Sequence, residues 1–166
     1  IFSDRIILVN NYYKKYFKLF NKKTEVIYNG LLFQDCPIDI KRQASDKKRI
    51  LFLSRFEAQK DPLTLLKAIC FIRTNHLNLF NNLCVKMVGD GDLYNQCNQF
   101  IIDNELLNVV QLMPWTNNKW DIYRHTDIFC IPSIHEAFGL VFLEAGFMEI
   151  PVVSTNVEGI PEVVLD

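Results

Sequence analysis

ILFLSRFEAQKDPLTLLKAICFI, residues 50–72, is the stretch from which the fold can be read. Its opening run, ILFLSR (50–55), is nearly continuous in hydrophobicity instead of alternating, as in a parallel strand covered on both faces. Asp61-Pro62 then supplies a helix N-cap with proline at the first helical position. Leu65, Leu66, Ile69 and Ile72 recur at the spacing of a helix face turned toward a sheet. Four further runs repeat the pattern: LCVKMVG (83–89), VVQLM (109–113), DIFCIPS (127–133) and PVVST (151–155). Helix-like segments lie between them at 93–103, at 117–125 and after Gly139. This alternation predicts an α/β fold, a Rossmann-like doubly wound parallel sheet with its ligands at the carboxyl ends of the strands.

Composition narrows the function classes. The 166 residues are 49% hydrophobic and 22% charged with a net charge of -1, the profile of one soluble globular domain. Near-neutrality leaves no electrostatic footprint for nucleic acid, which is not an expected partner. Cys36, Cys70, Cys84, Cys97 and Cys130 are odd in number and form no C-x-x-C pair, so they read as reduced and structural. No apolar run approaches the roughly 18 to 20 residues that cross a bilayer, and no signal-peptide pattern opens the chain, so a cytoplasmic location is expected. The chain begins at Ile1 and ends just after GIPEVVLD, so both ends read as cut from something longer.

The chemistry concentrates in SIHEAFGLVFLEAGF, residues 133–147. Glu144 stands inside a run that is otherwise apolar or glycine, and a carboxylate there needs a partner to offset its desolvation. With Gly139 opening a helix, the amides from about Phe138 to Val141 lack intrahelical acceptors and carry the positive end of the helix dipole, which suits a diphosphate. Glu136 lies just before that turn, so the two acids bracket a ligand bearing both phosphates and hydroxyls. Arg55 and Lys60 follow the first strong strand and are expected to point at the same crevice, where their natural partners are anions. VGDGDL (88–93) reads as a turn near the ligand, with Gly89 at its start. Asp90 and Asp92 read as solvated or capping, and no metal is expected. His135 has no nucleophile pattern around it and reads as structural.

The Glu136-x7-Glu144 spacing, SRFEAQK, VGDGDL and PVVST...GIPEVV together resemble the family 4 (group 1) retaining glycosyltransferases, which have the GT-B fold. The resemblance implies the C-terminal donor-binding half of that fold. Residues 1–40 would be the end of the acceptor domain and an interdomain, linker-like segment, and 41–166 the nucleotide-sugar donor domain. From the residues alone, a surface hairpin and helix packed on the core is an equal reading of the first thirty. The resemblance also implies roles. Glu136, Arg55 and Lys60 would be catalytic, the glutamate on donor-sugar hydroxyls and the cations on the diphosphate. Glu144 would hold the ribose. Phe138, Gly139, Leu140 and Val141 would act through their backbone, Met113 would contact the base, and Gly89 would border the ligand. Ser54, Glu149 and Glu158 depart from the family pattern, each standing where glycine is frequent.

No cofactor beyond a UDP-, GDP- or ADP-sugar donor is implied. The implied acceptor is a glycan or lipid-linked sugar reached through an N-terminal domain, in polysaccharide or lipopolysaccharide-type synthesis. Peripheral association of the full-length enzyme with the inner face of the membrane follows as an expectation. Alternatives are a noncatalytic GT-B module, a GT-B epimerase or phosphorylase, and a dinucleotide-dependent oxidoreductase. The last would need G-x-G-x-x-G after the first strand, where LSRFEAQK stands.

Overall fold

A computed structural model of the chain describes residues 3–32 and 43–165. The leading apolar run forms β1 (Ile6–Leu8), which pairs with β2 (Thr24–Val26) in a two-stranded sheet of its own. The pairing is parallel, so the hairpin reading is corrected: a helical segment, Tyr12–Lys23, carries the chain back before β2 begins. That segment is a 3-10 helix kinked at Phe17 and Phe20, with no buried residue, so no packed face holds it to α-helical spacing. Residues 33–42, which include Cys36 and the boundary expected at 40/41, lie outside the described residues.

The main sheet contains β3 (Lys48–Leu53), β4 (Leu83–Val88), β5 (Val110–Met113), β6 (Ile128–Ile131) and β7 (Val152–Ser154). All are parallel, in the order β5-β4-β3-β6-β7. The chain thus builds outward from β3 in one direction, then crosses to its other side. The order reverses between β3 and β6, the point at which open sheets of this kind take their ligands.

Leu51, Phe52 and Leu53 are buried, as are Val85, Met87 and Val88 in β4, which is why neither run alternates. β3 starts two residues before its apolar run because Arg49 pairs with Asp127 (Nη2 to Oδ1, 2.9 Å), pinning the entry of β3 beside β6. The helices are α1 (Pro62–Asn75), α2 (Leu77–Asn81), α3 (Tyr94–Asp103), α4 (Lys119–Arg124) and α5 (Leu140–Phe147). Asp61 caps α1, accepting from the Thr64 amide at 3.3 Å and the Thr64 hydroxyl at 2.6 Å. Leu65, Leu66 and Ile69 are buried under that helix, and Ile72 packs half-buried beside them. Cys70, Cys84, Cys97 and Cys130 are free thiols, and burial pushes those of Cys97 and Cys130 up to about 11.

Gly89 has φ 147°, and a Cβ there would land on the Ser54 carbonyl oxygen. The glycine therefore lets the exit of β4 press against the exit of β3. Gly89→Ala is expected to cost about 1–3 kcal/mol from backbone strain alone. For a domain of this size that lowers the melting midpoint by roughly 2–4 °C per kcal/mol, which a thermal scan against the parent chain would register.

Candidate active site

Gly139 is the N-cap of α5, with φ 78° and no side-chain hydrogen bond onto the helix. A Cβ at this position would enter the Phe142 ring and crowd the Glu136 carboxyl carbon at 3.3 Å, so only glycine fits the turn. The first-turn amides of α5 consequently carry no side-chain cap from the N-cap residue. Phe138 is buried just before the cap, while Leu140 in the first turn stays exposed.

Glu144 is buried, as its apolar surroundings require, and the partner it demands comes from α4. Lys119 Nζ meets Oε1 at 2.6 Å, and the Tyr123 hydroxyl donates to Oε2 at 2.9 Å. Burial pushes the Tyr123 phenol well above its ordinary range and the charge of Glu144 pushes it further, so it remains a donor. Rings from α4, β6 and α5 pack in sequence, Tyr123 tilted on Phe129 at 5.8 Å and Phe129 edge-on to Phe142 at 5.9 Å, which fixes the helices that bear the pair. Neither Lys119 nor Tyr123 was singled out from the sequence. Their signal was the i,i+4 spacing on the 117–125 helix candidate beside a carboxylate in need of a partner.

Glu136 forms the second pair. Lys60, brought round by the single 3-10 turn Ala58–Lys60, donates to Glu136 Oε2, and both residues are only 8% exposed. The loop bearing Glu136 is held from two sides. Gln59 accepts from the Ile134 amide at 2.8 Å and donates to the His135 carbonyl at 2.9 Å. From the β7 side, Gly159 N donates to the Glu136 carbonyl at 3.1 Å, while the Glu158 carboxylate accepts from the Glu136 amide at 2.8 Å and His135 Nδ1 lies 3.1 Å from it. Burial works against ionisation of Glu158, but hydrogen bonds from His135, Tyr13 and the Glu136 amide outweigh it and hold the carboxyl below its usual range. The glycine-to-glutamate departure at 158 is accommodated at φ 47°, and Gly159 still packs directly on the Ala137 carbonyl. Glu149, another departure, sits just past α5 with φ 55°.

The remaining candidates fall differently. Arg55 is largely exposed and pairs with Glu57 at 2.7 Å. The Met113 carbonyl accepts from the Gly89 amide at 3.0 Å, so those two candidates are joined by a bond between strand ends. Among the described residues no group of His, Cys, Asp and Glu could hold a metal ion, and no helix is long and apolar enough to cross a membrane.

Two lysine–carboxylate pairs thus lie on either side of an uncapped helix N-terminus at the topological switch point. Carboxylate oxygens keep further lone pairs for hydroxyl donors, while the lysines and amides supply positive charge between them.

Comparison with known proteins identifies the family. Residues 37–166 match the family model described as glycosyl transferases group 1. The chain is 30% identical over 166 residues to an uncharacterised glycosyltransferase of Methanocaldococcus jannaschii, covering 99% of this chain and 43% of that protein. It is 31% identical over 147 residues to the UDP-Gal:alpha-D-GlcNAc-diphosphoundecaprenol alpha-1,3-galactosyltransferase of Escherichia coli, covering 82% of this chain and 38% of that enzyme. Among solved structures, Anabaena HepE in complex with UDP superposes with a TM-score of 0.82 at 20% identity, over 99% of this chain and 48% of that one. WaaG, a glycosyltransferase involved in lipopolysaccharide biosynthesis, superposes with a TM-score of 0.80 at 16% identity, over 93% of this chain and 45% of that one. At such identities the solved structures speak for the fold, the Rossmann-like C-terminal half of GT-B. The chain spans less than half the length of these relatives. It belongs to the group 1 glycosyl transferases.

Proposed function

We propose that this chain is the donor-binding half of a retaining glycosyltransferase, which moves a hexose-type sugar from a nucleotide diphosphate to a glycan or lipid-linked acceptor. The observation that carries the reading is the pair of buried carboxylates, each backed by a lysine, on either side of the uncapped α5 terminus. A nucleotide sugar offers matching groups in the matching order. Ribose hydroxyls donate to Glu144, the diphosphate meets the α5 amides with Lys60 and Arg55, and the sugar hydroxyls donate to Glu136.

In the transfer, the bond between the anomeric carbon and the diphosphate oxygen breaks and a bond to the acceptor oxygen forms on the same face. The acceptor proton passes to the departing phosphate oxygen. Negative charge grows on that oxygen, and preorganised donors aimed at it stabilise the transition state without a metal. The acceptor is reached through an N-terminal acceptor domain, in a protein that meets the cytoplasmic face of the membrane peripherally when its acceptor is lipid-linked.

Calorimetric titration with UDP, GDP, ADP and their sugar conjugates, with and without EDTA and alongside NAD, tests this. One nucleotide series is expected to bind with affinity unchanged by EDTA. Binding of NAD alone, or of no nucleotide in the full-length protein, would sink the assignment. Product analysis then separates transfer from epimerisation or phosphorolysis.

A further inference from the structure

We propose that Asn10 and Glu162 are positioning residues: they lock the leading segment of the chain onto the Glu136–Gly139 turn, so that the sugar-facing carboxylate is set from the acceptor side. The inference deepens the proposed function and rests on it for the role given to Glu136.

Asn10 is fully buried although it is polar and lies in a short loop after β1. Its amide nitrogen donates to the Ala137 carbonyl, and its Oδ1 accepts from the Tyr13 amide at 3.0 Å. Ala137 is the residue between Glu136 and Phe138, so this bond acts on the backbone that presents the carboxylate. There is no slack around it. A Cβ on Gly159 would land on that same carbonyl and lie 2.9 Å from the Asn10 amide nitrogen, so the glycine leaves only enough room for the Asn10 side chain.

Glu162 anchors the same segment from the other end of the 159–162 loop. Its carboxylate accepts from the Asn11 amide at 2.9 Å, the Tyr12 amide at 3.0 Å and the Tyr28 hydroxyl at 2.8 Å. It therefore caps the Tyr12–Lys23 helix, whose N-cap residue Asn11 makes no side-chain cap bond, with a negative charge placed where the helix dipole favours one. Burial disfavours the ionised form of Glu162, but the bonds from Asn11, Tyr28 and Tyr12 prevail and hold its carboxyl below the ordinary range. The Tyr28 ring also lies 5.9 Å from Phe138, at the other end of the Glu136–Gly139 turn.

These contacts converge on the sugar end of the site, whereas the nucleoside end is held separately by α4 through Lys119 and Tyr123. The two ends should therefore respond differently to loss of the latch. A residue with only a general structural role would weaken both together.

The test uses Asn10→Ala and, as a second variant that preserves volume, Glu162→Gln, each in the full-length protein. UDP affinity is expected to stay within about twofold, while the additional affinity of the UDP-sugar and kcat both fall by roughly 10- to 100-fold, the loss of two neutral hydrogen bonds in Asn10→Ala and of charge-assisted ones in Glu162→Gln. (GDP or ADP replaces UDP if the titration selects it.) Equal losses for nucleotide and nucleotide sugar, or no loss for either in a folded variant, would overturn the proposal. Amide hydrogen exchange of the ligand-free protein gives an independent arm. Residues 134–141 are expected to exchange faster in both variants while residues 62–75 stay unchanged, and unaltered exchange at 134–141 overturns the latch whatever the ligand is. If the parent protein binds no nucleotide, the functional reading fails, and the exchange arm still decides whether the latch sets the turn.

Discussion

Glu144→Ala is expected to reduce nucleotide diphosphate affinity by about 10²- to 10⁴-fold. Each ribose hydroxyl bonded to a carboxylate contributes roughly 1.5–3 kcal/mol, and two such bonds are lost together. The variant should still fold. Lys119 is part-exposed and can rehydrate once its partner is gone, and the buried Tyr123 hydroxyl retains the Val141 carbonyl at 3.3 Å as an alternative acceptor. The structural cost is therefore expected at the lower end of what breaking a buried pair incurs, about 3 kcal/mol. Glu144→Gln, which keeps the volume and one acceptor oxygen, is expected to fall between the parent and the alanine variant. Circular dichroism with calorimetric titration checks both points. Unchanged affinity in a folded Glu144→Ala protein would remove ribose recognition from this residue.

Lys60→Met is expected to lower kcat for transfer by roughly 10²- to 10³-fold, with a smaller effect on donor KM. Its charge matters most when the phosphate oxygen departs, so the loss belongs to the transition state more than to the ground state. The single variant also strands Glu136, buried and without its counter-charge, at a stability cost of about 3–5 kcal/mol. The double variant Lys60→Met with Glu136→Gln separates the two effects. Removing both charges restores most of the stability while activity remains low. A double variant that regained activity along with stability would mean that the pair serves the fold alone.

The α/β architecture was legible because the central strand β3 is covered on both faces, which leaves the unbroken apolar run ILFLSR with a capped, amphipathic helix behind it. These are local patterns, set by neighbours in the chain. Gly139 as the opening of α5 was legible for the same reason, since an N-cap is decided by a few consecutive residues. The leading segment was less so. The pairing of β1 with β2 depends on a crossover rather than on either run, and a short apolar stretch carries no mark of parallel or antiparallel partnership.

The site divides along the same line. That Glu144 required a partner followed from its apolar flanks, a desolvation argument that needs only the sequence. That the partner is Lys119 with Tyr123, and that Lys60 rather than Arg55 meets Glu136, depends on which strand ends lie side by side in the sheet. The sequence by itself determined the layers, the helix terminus and the residues with chemistry to offer. Only the tertiary structure decided their pairings, because an ion pair or a buried hydrogen bond forms between groups a few ångströms apart in space, and Lys60 and Glu136 are separated by 76 positions in the chain. Asn10 makes the point most sharply: nothing in its local sequence marks it, and only the fold buries it against the Ala137 carbonyl.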